Sequence, residues 1–144
     1  MEGDDRLIYL ISTAHHLMKG HMVARFRESG LEITPSHSTI LFLLEERGPM
    51  QMNEIGAAMH IENPTVTGLV DRLENKGFVE RVIVENDRRK WNVTITASGR
   101  NEIEKARGVI HAINAEIADG MTKKELDAFK KALNGFFVKF GGLP

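Results

Sequence analysis

The chain has 144 residues, 42% of them hydrophobic and 27% charged, which suits one compact domain or a small domain with an extension and excludes a disordered chain. It has no cysteine, which excludes disulfides, thiolate metal sites and cysteine-based redox sensing and fits a cytosolic protein. The net charge of −1 is low for a nucleic-acid binder, but charge acts locally at a binding surface.

The acidic start "MEGDDRL" lacks the basic head and apolar core of an export signal. No apolar run approaches the ~20 residues needed to span a bilayer, so a cytoplasmic protein without a membrane partner is expected. A first helix is predicted from about Leu7 to Phe26, with Leu7, Leu10, Ile11, Ala14, Leu17, Met18 and Met22 recurring in steps of three and four. "SGLEIT" breaks it. Thr34-Pro35 reads as an N-cap followed by proline at the first helical position, and the second helix runs to Gly48-Pro49. A short third helix is predicted near "NEIGAAMH". Asn63-Pro64 again reads as cap plus first-turn proline for a fourth helix ending at Gly77. Its core face is Val66, Leu69, Val70 and Leu73. The opposite face holds Pro64, Gly68, Asp71 and Asn75, flanked by Thr67 and Arg72.

Two strands come next. "FVERVIVE" is rich in β-branched residues, Asn86-Asp87 is a plausible turn, and Trp91, Val93 and Ile95 alternate with Asn92, Thr94 and Thr96. Arg88, Arg89 and Lys90 therefore sit near a hairpin tip, opposed nearby mainly by Glu85 and Asp87. The fifth helix is predicted from Thr96-Ala97 to about Asp119, with Ile103, Ala106, Ile110, Ile113 and Ile117 spaced three, four, three, four. Gly120 ends it. Thr122 and Glu125 form a capping box for a sixth helix, in which Leu126, Phe129, Leu133, Phe136 and Phe140 repeat the same spacing.

Two short helices, a tight turn and a longer helix with a small, polar outer face make a helix-turn-helix, and the hairpin after it makes the wing. The expected fold class is mainly α with a small β-hairpin wing. Residues 1–33 supply an N-terminal helix, 34–96 the winged helix-turn-helix, and 97–144 the C-terminal helices. The first, fifth and sixth helices carry coiled-coil-like seams, and three phenylalanines near the C-terminus need a large surface to bury against. A helical dimerisation region built from both ends of the chain is expected; packing within one chain is the plainer alternative.

From about Thr34 to Gly99 the chain resembles the MarR family of winged-helix regulators. The residues that carry the likeness are "TPSHSTILFLL", "MNEIGAAMHI", "PTVTGLVDRLENKGFVER" and "NDRRKWNVTITASG", the last two being the most specific. The flanking helices match by pattern more than by identity. The resemblance implies a homodimer on a pseudo-palindromic operator of double-stranded DNA, and repression relieved by a small molecule or other signal.

In the helix-turn-helix mode the first turns of the second helix meet base edges in the major groove. The residues expected there are Asn63, Thr65, Thr67, Gly68 and Arg72. Gly68 lets the backbone approach DNA closely, where many family members carry a larger polar residue. Asp71 would repel phosphate and is read as orienting Arg72 or a wing arginine. By resemblance Arg89 matches the wing arginine that enters a narrow minor groove, and Asp87 the acid that braces it. Arg88 and Lys90 would meet phosphates, and Gln51 and Asn53 could donate to them as well.

An effector wedged between the winged domain and the helical region is the switching logic the family suggests. Met18, Met22, His37, Leu41 and Ile110 are the candidate pocket residues, although Met and Leu at helical spacing are usually core. Six histidines invite a zinc site, yet none pair at the i, i+4 helical spacing, so no metal and no cofactor are expected. His37 and His111, with Glu28 or His16 beside them, would be the pair to watch. No phosphate loop, nucleophile elbow or ligand cluster supports an enzyme. The remaining rival is a winged helix that binds only protein, because fold alone does not imply DNA binding.

Overall fold

The computed structural model describes residues 6–141. In chain order it holds α1 (Leu7–Glu28), α2 (Pro35–Arg47), α3 (Met52–Met59), α4 (Asn63–Asn75), β1 (Val79–Val84), β2 (Asp87–Ile95), α5 (Ala97–Ala118) and α6 (Lys123–Phe140). This is the expected mainly α winged helix with a two-stranded hairpin. The chain divides into two compact units, Met1–Ile110 and His111–Pro144, with the boundary inside α5. No helix among the described residues is long and apolar enough to cross a membrane.

In the first unit the helix-turn-helix and the hairpin close on one core. Phe26, Ile40, Leu41, Leu44, Ile55, Val66, Val70, Leu73, Val93 and Ile103 are all within 1% of complete burial. They come from α1 to α5 and from β2, but α1 contributes Phe26 alone, and its predicted stripe Leu7, Leu10, Ile11 and Leu17 is exposed. α1 runs two residues beyond the predicted end, because Gly30 at φ +70° lets the Leu31 N–H turn back onto the Phe26 carbonyl at 3.1 Å.

α2 starts as expected at Thr34. Thr34 Oγ1 accepts the His37 N–H at 3.3 Å, and His37 Nδ1 accepts the Thr34 N–H at 3.2 Å. His37 thus takes the place that Glu or Gln has in an ordinary capping box. An accepting Nδ1 puts the imidazole proton on Nε2, which is buried without a hydrogen-bond partner among the described residues. Burial, then the positive charges of Arg72 on α4 and of Lys76 just after it, hold the His37 pKa below its ordinary value. A group whose pKa is lower in the fold than in the unfolded chain favours folding fully above its unfolded pKa, and less as pH falls toward its folded one. Chemical denaturation across pH should therefore give constant stability above pH ~6.5 and a decline below it. His37→Gln, which keeps an acceptor for Thr34, should flatten that decline. An unchanged decline in the variant would place its origin elsewhere.

α4 begins one residue earlier than predicted. Asn63 is inside the helix and the cap position is Glu62, whose carbonyl accepts the Thr65 and Val66 N–H groups at 3.0 and 3.2 Å. Pro64 at the second helical position has no N–H to lose there. The hairpin turn is also displaced: Glu85 and Asn86 make it, and Asp87 is already in β2. A short pairing that was not anticipated ties the loop after α2 to the wing, with Met50 and Val93 exchanging backbone bonds of 3.1 and 2.8 Å.

The start of α5 is pressed onto the start of β1. Thr96 donates its hydroxyl to the Gly77 carbonyl at 2.6 Å and accepts the Gly99 N–H at 3.1 Å. Glu102 is 3% exposed; its carboxylate accepts the Glu32 N–H at 2.7 Å and lies 3.4 Å from Lys105 Nζ. That buried acid links α5 to the segment between α1 and α2, and it satisfies a charge that would otherwise be costly.

In the second unit, Thr122 and Glu125 form the predicted capping box: Thr122 Oγ1 accepts the Glu125 N–H at 3.2 Å and Glu125 accepts the Thr122 N–H at 2.8 Å. The Thr122 N–H and then the Thr122 hydroxyl, 3.1 Å away, both donate to the ionised carboxylate and lower the Glu125 pKa. No residue of α6 is buried, and Phe136 stacks on Phe140 with centroids 5.7 Å apart.

Candidate nucleic-acid interface

The outer face of α4 is open. Asn63, Thr65, Thr67, Gly68 and Arg72 are all exposed, while Val66, Val70 and Leu73 on the opposite face are fully buried. Thr67 donates its hydroxyl to its own helix, to the Asn63 carbonyl at 3.0 Å, and keeps acceptor lone pairs for another group. A Cβ added at Gly68 would meet nothing within 4 Å, so the absent side chain leaves free space above the helix. At the preceding α3 the Glu54 carboxylate accepts the Gln51 N–H at 2.7 Å, leaving the Gln51 amide half-exposed and Asn53 exposed.

The wing owes its shape to a bulge. Val79 to Ile83 pair in register with Ile95 to Trp91, but the next pair is Val84 with Asp87. Arg88, Arg89 and Lys90 are thus inserted on β2 with no partners on β1, and all three are exposed. A bulge re-aims side chains away from the ladder, which here projects three successive cations from the tip. The Asp87 carboxylate accepts the Arg89 N–H at 3.0 Å and lies 3.5 Å from its Nε. With the Arg89 side chain 93% exposed, this contact orients the base of the side chain and leaves the guanidinium in water.

Asp71 pairs with Arg81 on β1, not with Arg72 or a tip arginine, and Glu74 joins that pair at 3.4 Å. Arg81 was not singled out from the sequence. The signal for it was its position two residues beyond Val79, on the strand face that meets α4 and its acids. The triad fixes the hairpin base to the recognition helix and consumes the two carboxylates that would otherwise repel phosphate.

Of the candidate pocket residues, Met18 and Met22 line an open, mostly apolar cavity of about 550 Å³ with His15, Lys19, Thr34 and Met59. His37 and Leu41 are core residues at 4% and 0% exposure, and Ile110 is partly buried against the same core. Among the described residues no group of three histidine, aspartate or glutamate side chains is placed to hold a metal. His37 is buried in the α2 cap and His111 is exposed on α5.

A bulged cationic wing beside the exposed polar face of α4 defines a protein of the winged helix-turn-helix class. Residues 33–91 match the model of the MarR family. A probable transcriptional regulator from Pseudomonas aeruginosa is 25% identical, with 92% of this chain and 98% of that one aligned at a TM-score of 0.80. A MarR-family regulator from Rhodococcus sp. RHA1 is 20% identical over 100% of this chain and 99% of that one, at 0.83. BpsR of Bordetella bronchiseptica, whose DNA binding is regulated by 6-hydroxynicotinic acid, is 22% identical over 88% and 98%, at 0.73. Residues 33–91 are thus assigned to a MarR-family winged-helix domain, and the solved structures share the fold of the chain around it.

Proposed function

We propose that this regulator binds a pseudo-palindromic operator as a homodimer and represses transcription, and that a small-molecule effector releases it. The observation that carries the reading is the extruded Arg88–Lys90 tip next to the open face of α4. α4 enters the major groove with Asn63, Thr65, Thr67 and Arg72 toward base edges and Gly68 against the duplex. Arg89 enters the adjacent minor groove, Arg88 and Lys90 meet phosphates, and Gln51 and Asn53 donate to the backbone.

The dimer is supported by apolar surface that each unit leaves uncovered. On α1, Leu7 is 57% exposed, Leu10 52%, Ile11 46% and Leu17 65%; on α6, Phe129 is 41%, Leu133 45%, Phe136 40% and Phe140 76% exposed. Contiguous apolar stripes of this kind mark interaction surfaces. A second copy with the same stripes covers them symmetrically and sets two recognition helices roughly 34 Å apart, one turn of DNA. The effector reading is supported by the methionine-rich cavity beside Thr34 and by the ligand-regulated relative.

Fluorescence anisotropy with the DNA upstream of the protein's own gene, across a salt series and beside a scrambled duplex, tests the proposal. Preferential binding with a steep salt slope and two chains per site supports it. Failure to bind either duplex at low salt would discard it in favour of a winged helix that binds protein.

A further inference from the structure

We infer that Trp91, with Ile83, forms an apolar contact for the sugar–phosphate backbone of DNA, between the recognition helix and the cationic wing tip. The two residues face each other directly across the hairpin ladder and each is 47% exposed. On β1, Val79, Arg81 and Ile83 share one face by the period of two, and Arg81 on that face is held by Asp71 and Glu74 of α4. On β2 the corresponding Val93 and Ile95 are buried. Trp91 therefore continues the core-facing row past the edge of the core, on the side of the hairpin that looks toward α4.

A single exposed apolar residue is ordinary on a protein surface. This one is paired with a second, and it directly follows Lys90 in the extruded cationic tip. Arg81, the nearest charge on the same face of β1, is neutralised by two carboxylates. The surface between α4 and the tip is thus an apolar step with three cations on its tip side and a charge-paired arginine on the other. A duplex strand crossing from major to minor groove presents deoxyribose carbons there and phosphates on either side. An indole suits it, with a broad apolar ring for the sugar and one N–H that donates to a phosphate oxygen. Arg88, Arg89 and Lys90 supply the complementary charge that brings this strand in.

The inference rests on the DNA-binding reading above, and one experiment separates them. Trp91 is the chain's single tryptophan, so its emission reports on this position alone. Fluorescein-labelled duplex of random sequence is added to the full protein at low salt, while anisotropy of the label and acrylamide quenching of Trp91 are followed together. The expected result is binding accompanied by loss of acrylamide access to Trp91. Trp91→Ala should weaken binding about tenfold, as for loss of a half-exposed aromatic from an interface. The shift should be the same at every salt concentration, because an apolar contact releases no counterions. Trp91→Phe, which keeps the hairpin pairing, should fall between the two. Binding with Trp91 still fully quenched overturns the inference and leaves the DNA reading intact. Protection that follows protein concentration without DNA also overturns it, by assigning the step to a contact between copies. No anisotropy change at low salt removes both.

Discussion

Arg89→Glu should weaken binding to every duplex, specific or scrambled, by about 100-fold at low salt in the proposed two-winged dimer, roughly tenfold per wing. The slope of log affinity against log salt should become shallower by about one per wing, since a cation in the minor groove also displaces condensed counterions and one is lost at each. Base preference should survive, because a wing arginine reads groove width and potential while the α4 face carries the major-groove contacts. With 93% of its side chain exposed and its one carboxylate contact in water, Arg89 contributes little to folding, so the variant's thermal midpoint should not move. Unchanged DNA affinity in a folded Arg89→Glu protein would remove the wing from the interface. The contrast with Trp91→Ala is diagnostic: one change flattens the salt dependence and the other displaces it in parallel.

Gly99→Ala is the substitution expected to damage the fold most. A Cβ at this position would lie 2.1 Å from the Phe78 carbonyl oxygen and 2.9 Å from Ile95 Cγ1. That carbonyl is committed, since it accepts the Thr96 N–H at 3.1 Å, and Gly77 beside it accepts the Thr96 hydroxyl. The Ile95 side chain could shift, but the nearer obstacle is the Phe78 backbone, which no rotamer change relieves, so α5 must lift away from the hairpin. A loss of about 3 kcal/mol or more is expected, the upper part of the range for overpacking. For a chain of this size that lowers the thermal midpoint by about 10 °C. Calorimetry decides it: a midpoint within a degree or two of the parent would mean that α5 moves freely against β1. Gly68→Ala makes the internal comparison, because a Cβ there meets nothing within 4 Å.

The features legible in the sequence are those that local physics controls. The caps at Thr34 and Thr122, the stops at Gly48 and Gly120, and the core stripe Val66, Val70 and Leu73 all depend on hydrogen bonds or spacing within a few residues. So does the order of elements that places three cations near the end of a hairpin. Even locally, two boundaries slipped by one residue: Asn63 proved helical, and the wing turn is Glu85-Asn86. Proline and asparagine each permit either placement.

What only the tertiary structure decided is everything that joins residues far apart. A buried Glu102 accepts from Glu32, Met50 pairs with Val93, Asp71 takes Arg81, and Gly99 is required by the carbonyl of Phe78. The register shift that extrudes Arg88 to Lys90 belongs here too, because it exists only once β1 and β2 are paired. Periodicity specifies which face of an element is apolar, but it carries no information about which distant backbone or charge that face will meet. That information arises from packing several such faces around one core, and the geometry of the wing and its brace to α4 comes from it.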